Sequence, residues 1–214
     1  MHSSYSDQNG FNNAAALLAD TNSFKGIDII RFGNSINEIM ERKSLENISI
    51  LLQMEQCIQM FHQYYRYEKI EGMDRKSVDK IPERAFREAV ANALVHRMWD
   101  IPASIKISMY SDKIEISSPG GLPAGISEDE YLNGQISLLR NPIIGNVFFR
   151  LKYIEKFGTG IMRINYAYKD ALIKPDYHIF SNSIQIILPV IKSDYKLNET
   201  EKKLLNILKI NGSM

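Results

Sequence analysis

The sequence predicts an α+β fold in which a mixed sheet is covered by helices. Residues 103–116 and 177–190 alternate apolar and polar side chains, as strands with one buried face do. Elsewhere, apolar residues recur at helical spacing over longer stretches. Because strands come in adjacent pairs and do not alternate one by one with helices, this order favours an α+β layer over a doubly wound parallel sheet.

The composition is that of a folded protein and excludes several classes. Hydrophobic residues make up 44% of the 214 positions, enough for one large or two small domains. The formal net charge of +1 argues against a domain devoted to neutralising phosphates. A single cysteine, Cys57, excludes an intrachain disulfide and a cysteine-based metal site. No run of 18 apolar residues and no secretory signal occurs, so we expect a cytoplasmic protein with no membrane partner.

The first third of the chain predicts a partial α/β segment. Residues 1–10 are rich in Ser, Asn, Asp and Gly and are expected to be disordered or an addition left from expression. A short helix is expected at residues 13–20, a strand at 24–32 and a long amphipathic helix at 44–65. These elements are too few to close a core of their own. We therefore interpret residues 11–75 as the C-terminal part of an earlier domain plus a connecting helix.

Residues 76–192 are expected to form one further domain. A helix begins at Pro82, where the missing N–H of proline costs least. The alternating residues 103–116 predict a hairpin, and a glycine-rich loop and a polar lid up to Arg140 follow. The remaining elements are a helix capped by Asn141-Pro142, a second glycine loop at residues 158–160, a helix after it, and a closing hairpin at 177–190.

Residues 193–214 predict a single terminal helix. Asn198 stands three residues before Glu201, which is a box-like helix start. Leucine and isoleucine residues supply an apolar face behind it. A lone helix with nothing after it suggests a truncated domain.

Three polar residues form one row along the helix that begins at Pro82. Glu88, Asn92 and His96 lie at positions i, i+4 and i+8. A carboxylate beside an amide suits the hydrolysis of a magnesium nucleotide, with Glu88 as the catalytic base and the Asn92 side-chain oxygen as a ligand of Mg²⁺. Taken alone, the spacing also fits a solvated helix face, and His96 also fits a side chain that caps the helix end.

Two glycine loops add further candidate binding residues. Gly120-Gly121 follows a strand and lets the backbone approach a ligand closely, as an adenine pocket requires. Gly158-Thr159-Gly160 opens a helix, so its free N–H groups and the positive helix end offer a phosphate seat. Each loop alone is also an ordinary turn. The specific signal is the order of all three elements, with a polar lid between the two loops.

That order resembles the GHKL (Bergerat) superfamily, which has an N box, a first glycine box, a mobile lid and a second glycine box. Residues 81–190 resemble more closely the C-terminal ATPase-like region of bacterial RecG-like transcriptional regulators. The motifs that carry the resemblance are REAVANALVHR at residues 87–97, PGGLP at 119–123, RNP at 140–142 and EKFGTGI at 155–161.

The resemblance implies ATP and Mg²⁺ as cofactors and extends the set of candidate binding residues. Ser118 stands where catalytic members of the superfamily have an Asp that accepts the adenine amino proton, and a neutral hydroxyl makes the weaker bond. Arg140 and Lys156 are candidate phosphate partners, and structural ion pairs are the alternative interpretation of both.

The resemblance also implies DNA-binding neighbours. Residues 11–65 are similar to the end of a Schlafen/AlbA-type DNA-binding domain, and residues 198–214 to the first helix of a winged helix-turn-helix. DNA is then a partner of the full-length protein, and a homodimer is a further expected assembly.

Three functions agree with these observations. We favour a nucleotide-responsive regulatory module of a DNA-binding transcriptional regulator. The alternatives are a Mg²⁺-dependent, weak ATPase and a degenerate GHKL scaffold that binds no nucleotide and serves dimerisation. No G-x-x-x-x-G-K-[ST] motif occurs, which argues against a P-loop helicase.

Overall fold

The structure is a computed structural model that describes residues 13–134, 138–154 and 158–191. The elements of these residues form one body around a central sheet. In chain order they are α1 (Asn13–Leu18), β1 (Ile27–Phe32), β2 (Ile39–Leu45), α2 (Ile50–Tyr65), β3 (Arg66–Glu71), β4 (Asp74–Asp79), α3 (Glu83–His96), β5 (Ile105–Met109), β6 (Lys113–Pro119), α4 (Glu128–Leu132), α5 (Pro142–Arg150), α6 (Gly160–Ala167), β7 (Asp176–Phe180) and β8 (Ser183–Pro189).

The central sheet has six strands in the order β2-β1-β5-β6-β8-β7. β1 and β5 pair in parallel, with Ile27 opposite Ile105, and all other neighbours pair antiparallel. A parallel pair needs a long crossover, and here the chain from β2 to α3 supplies it. β3 and β4 form a separate two-stranded sheet. The predicted class, a mixed sheet covered by helices in a GHKL-like fold, is confirmed.

The core lies between one face of the sheet and the helices. Strand β5 alternates buried Ile105, Ile107 and Met109 with more exposed Lys106 and Ser108, so one face is apolar. Helix α3 crosses this face and buries nine of its 14 residues. The Phe61 and Phe86 rings stack with centroids 4.6 Å apart and join α2 to α3. Each fully buried side chain of this size stabilises the fold by roughly 1.5–3 kcal/mol.

Most predicted elements are confirmed, and one helix boundary was wrong. The predicted helix at residues 44–65 begins only at Ile50, where the Ser49 hydroxyl accepts a hydrogen bond from the Leu51 N–H. Ser44 and Leu45 instead end strand β2, which pairs with β1. The sequence did not predict β2, because its middle residues are charged, as is common in a strand at the edge of a sheet. The hairpin of β3 and β4 was also missed, since almost all of its residues are exposed and carry no apolar alternation.

The N-terminal elements share the sheet and the core with the rest of the chain. β1 and β2 extend the sheet beyond β5, and α2 packs against α3. The domain boundary placed between residues 75 and 76 stays a prediction. Residues 1–10 and 193–214 lie outside the described residues. Among the described helices, none has both the length and the apolar character to cross a membrane.

Candidate functional site

A cleft open to solvent lies between α3, the lid and the start of α6. A smaller space adjoins it beside β6 and β8. The structure brings most of the candidate residues predicted from the sequence to these two spaces, and Lys156 lies outside the described residues. Lining them are Glu88, Asn92, His96, Ser118, Gly120, Gly121, Arg140, Gly158 and Gly160.

The row on α3 contacts the second glycine loop. Glu88 is only 6% exposed, so it does not belong to a solvated helix face. A Cβ atom built on Gly160 would lie 2.6 Å from the Asn92 Nδ2 atom and 2.8 Å from the Glu88 Oε1 atom. Real Cβ atoms do not come this close to other atoms. Glycine at the first position of α6 therefore lets this loop lie directly against the carboxylate and the amide.

Thr159 precedes α6 and carries a buried hydroxyl. It occupies the N-cap position, yet its side chain makes no capping hydrogen bond. Its Oγ1 atom is buried and has no hydrogen-bond partner among the described residues. An unsatisfied buried hydroxyl costs roughly 1–3 kcal/mol. A phosphate oxygen is a suitable acceptor here, because the N–H groups and the positive end of α6 favour an anion at the same place. The residues present therefore fit a nucleotide phosphate.

His96 ends α3 with its ring in the cleft. Burial lowers the pKa of His96 to about 4, and the positive charge of Arg140 lowers it further in the same direction. The imidazole is therefore neutral near pH 7, and it can donate or accept a hydrogen bond without adding a charge. Whether it contacts phosphate stays a prediction.

Arg140 joins the end of the lid to α3 and to the first glycine loop. Its Nη1 atom donates to the His96 carbonyl at 2.8 Å, and Nη2 donates to the Gly121 carbonyl at 2.8 Å. Burial lowers the pKa of the guanidinium. A Cβ atom on Gly120, whose φ is +104°, would lie 2.7 Å from Arg140 Nη1. Arg140 thus holds two backbone carbonyls, and a phosphate contact would use its remaining N–H groups.

Position 121 requires glycine for packing, in addition to its place in the cleft. A Cβ atom there would lie 2.3 Å from the Ser181 carbonyl oxygen and 2.9 Å from that of Phe180, both of which are backbone atoms of the closing hairpin. Glycine at this position therefore allows the loop after β6 to pack against the turn between β7 and β8.

Ser118 faces the smaller space as a hydrogen-bond acceptor. Its hydroxyl donates to the Ala93 carbonyl at 3.1 Å, which leaves the oxygen lone pairs for an outside donor such as an amino group. The other walls of this space are mainly small or aliphatic, as a flat base requires. They comprise Ala89, Ala93, Ile116, Ile184 and Ile186.

Asn141 stands at the N-cap of α5 but does not cap it with its side chain. The Nδ2 atom donates instead to the carbonyls of Val95 and Arg97, at 2.7 and 3.0 Å. The predicted helix start at Asn141-Pro142 is therefore confirmed, but the Asn141 side chain forms no capping hydrogen bond. The amide instead satisfies carbonyls at the C-terminal end of α3, which have no partner inside the helix.

Arg97, the residue after His96, stabilises the backbone next to the site, a role that the sequence analysis did not predict. It is 1% exposed and donates to the carbonyls of Lys25 and Ala103, both at 2.6 Å. Its guanidinium lies 4.2 Å from the centre of the Trp99 ring. Burial lowers its pKa to about 10, so it remains charged near pH 7. Arg97 therefore ties the chain before β1 to the end of α3, next to His96, and nothing in the local sequence indicates these distant partners.

Tyr131 is a second residue of the site that the sequence analysis did not predict. It lies on the lid helix α4 and lines both spaces. The sequence contained one usable signal, since Tyr131 is the single aromatic residue in the polar stretch of residues 122–140.

Comparison with known proteins agrees with this class of fold and site. Residues 103–188 match the family model described as "Putative ATP-dependent DNA helicase recG C-terminal", which covers less than half of the chain. This part of the chain is therefore similar to an ATPase-like domain of the RecG C-terminal type. Glu88, Asn92 and His96 on α3 precede the matched region.

A solved structure extends the likeness to most of the chain. The crystal structure of the DIP2311 protein from Corynebacterium diphtheriae is similar with a TM-score of 0.74 and 26% sequence identity. The match covers 87% of this chain and 39% of that one, so this chain spans about two fifths of that protein. None of the curated proteins matches this chain.

Proposed function

We propose that this chain is an ATP-binding regulatory module of a DNA-binding transcriptional regulator. One observation carries the proposal: Gly160 at the start of α6 lies directly against Glu88 and Asn92 of α3. Beside it lies the Thr159 hydroxyl, which has no hydrogen-bond partner among the described residues. A carboxylate, an amide and a helix N-terminus that meet in one cleft suit a magnesium polyphosphate. A ligand there would contact the lid and both glycine loops.

Each residue has a distinct part in this proposal. Bound ATP with Mg²⁺ supplies the polyphosphate charge and the metal. The Asn92 oxygen holds the metal, and the N–H groups of residues 158–160 together with Thr159 Oγ1 hold phosphate oxygens. Ser118 accepts a hydrogen bond from the base, and neutral His96 lines the space between base and phosphates. Arg140 keeps the first glycine loop and the lid end in place.

Calorimetric titration with ATP and Mg²⁺ tests the proposal. The wild-type chain should release heat on binding, and Asn92→Ala should lose at least tenfold in affinity, since it removes the metal ligand. Asn146→Ala is the matched control, because Asn146 is an exposed asparagine on α5. Its affinity should equal that of the wild type. Absence of binding by the wild-type chain would refute the proposal.

Hydrolysis is a second candidate function, and the burial of Glu88 beside Asn92 favours it. A carboxylate in this place can orient or deprotonate a water for attack on the terminal phosphate. Glu88→Gln should then abolish phosphate release while ATP still binds, and exposed Glu55→Gln should change neither. Binding without phosphate release by the wild-type chain contradicts hydrolysis alone. A chain that binds no nucleotide but forms a stable dimer in sedimentation would instead support the scaffold function.

The link to DNA rests on the family resemblance of the flanking segments. In this proposal, residues 11–75 end a Schlafen/AlbA-type domain and residues 193–214 begin a winged helix-turn-helix. Because the formal net charge is only +1, we expect duplex binding by this chain to depend weakly on salt. A steep salt dependence would show that this chain makes many phosphate contacts by itself. A cytoplasmic location is part of the same proposal.

A further inference from the structure

The lid helix is fixed at both ends of its short length. Ser127 and Glu130 form a capping box at its start, in which the Ser127 N–H donates to Glu130 Oε2 at 2.8 Å. Past its end, Gly134 has a φ of +62°, and a Cβ atom there would lie 3.0 Å from the Gly158 carbonyl oxygen. The lid therefore reaches across the cleft to the second glycine loop, and α4 lies between these two fixed points.

Tyr131 is the residue that α4 directs into the cleft. Its ring lines both the larger and the smaller space, together with Asn92, His96 and Ile184. Burial raises the pKa of Tyr131 to about 12, so its hydroxyl stays protonated. The ring thus crosses the boundary between the two spaces.

The surroundings of this ring suit a flat, uncharged ligand group. The smaller space is otherwise lined mainly by the small alanine side chains of α3 and the isoleucines of β6 and β8. The neighbouring acidic residues of α4, Glu128 and Asp129, are exposed and line neither space. An aromatic ring and aliphatic side chains that line one space can enclose a base, as ligand pockets commonly do.

We infer that Tyr131 packs against the face of the nucleotide base and thereby holds the lid helix α4 over the bound base. This inference rests on the proposed ATP-binding function and assigns to that site a positioning residue on the lid. Stacking on a ring depends on the π face of the base and not on its hydrogen-bonding edge. The contribution of Tyr131 should therefore concern the base and leave the polyphosphate unaffected.

Two ligands and three variants test the inference by calorimetry. Tyr131→Ala should lose about tenfold or more in ATP affinity, a loss equal to about 1.4 kcal/mol, because truncation removes the stacking surface. Tyr131→Phe keeps the ring and should bind ATP like the wild type. Asp129→Ala, an exposed change on the same helix, is the matched control. Inorganic tripolyphosphate, which has no base, should bind equally to all four proteins.

The outcomes separate the inference from the function on which it rests. Wild-type binding of ATP with unchanged or tighter binding by Tyr131→Ala overturns the inference alone. An equal loss for tripolyphosphate also overturns it, because the ring would then act on the phosphates or on the fold. No ATP binding by the wild-type chain overturns the proposed function and the inference together. Urea unfolding of Tyr131→Ala, expected to match the wild type, checks that the variant is folded.

Discussion

Alanine substitution of one glycine from each loop should separate binding from folding. At Gly160 the added Cβ meets only the ends of the flexible Asn92 and Glu88 side chains, which can move aside. Alanine also favours a helix over glycine by roughly 1 kcal/mol. We therefore expect Gly160→Ala to change the free energy of unfolding by less than about 1 kcal/mol. Gly160→Ala should nevertheless lower ATP affinity at least tenfold, because the displaced side chains and the new methyl group disturb the proposed phosphate-binding site.

Gly121→Ala is the contrasting change. Its Cβ would lie 2.3 Å from the backbone oxygen of Ser181, so the closing hairpin must shift. Overpacking of this kind costs roughly 1–3 kcal/mol. Urea unfolding followed by the fluorescence of Trp99, the single tryptophan, measures both variants, and calorimetry measures ATP binding. Two results would contradict these roles of the glycines: ATP binding by Gly160→Ala as tight as that of the wild type, or a larger loss of stability in Gly160→Ala than in Gly121→Ala.

Two further predictions concern stability. Arg97→Ala removes two 2.6 Å hydrogen bonds of a buried guanidinium and should lower the free energy of unfolding by roughly 3–5 kcal/mol in urea. Exposed Arg150→Ala, the control, should lower it by less than about 0.5 kcal/mol. Equal losses in the two variants would contradict this prediction. The pKa of His96 is about 4 in the fold, below its ordinary 6.5, so the unfolded chain binds more protons between these values. The free energy of unfolding should therefore fall by up to about 3 kcal/mol from pH 6.5 to 4 because of His96. His96→Asn should lack this contribution. Matching pH profiles of the wild type and His96→Asn would contradict the prediction.

The predicted motifs lie in one cleft because the elements that carry them pack next to one another. Glu88 and Asn92 lie on a helix whose apolar stripe sets which side faces the sheet. Gly120-Gly121 ends a strand beneath that helix, and Gly158-Thr159-Gly160 begins the helix packed beside it. Local periodicity and turn chemistry were therefore enough to predict the central fold class, the row on α3 and the two glycine loops. Ser118 and Arg140 became candidates only through the family resemblance.

Strands β2, β3 and β4 could not be predicted from the local sequence pattern. Strand β2 has charged residues in its middle and is a strand only because β1 offers it a free edge. The exposed residues of β3 and β4 carry no apolar alternation either. In both cases the decisive interactions are backbone hydrogen bonds to a partner strand, and the side-chain pattern does not record them.

Taken by itself, the sequence determined the first glycine loop, the row on α3, the second glycine loop and the class of sheet around them. The tertiary structure decided what several of these residues contact. Arg140 holds the carbonyls of His96 and Gly121, and Arg97 holds that of Lys25, 72 positions away. It also placed Tyr131 in the cleft. The physical reason is that hydrogen bonds to backbone carbonyls and burial across a cleft depend on which chain segments meet in space, and side-chain type along the chain leaves that open.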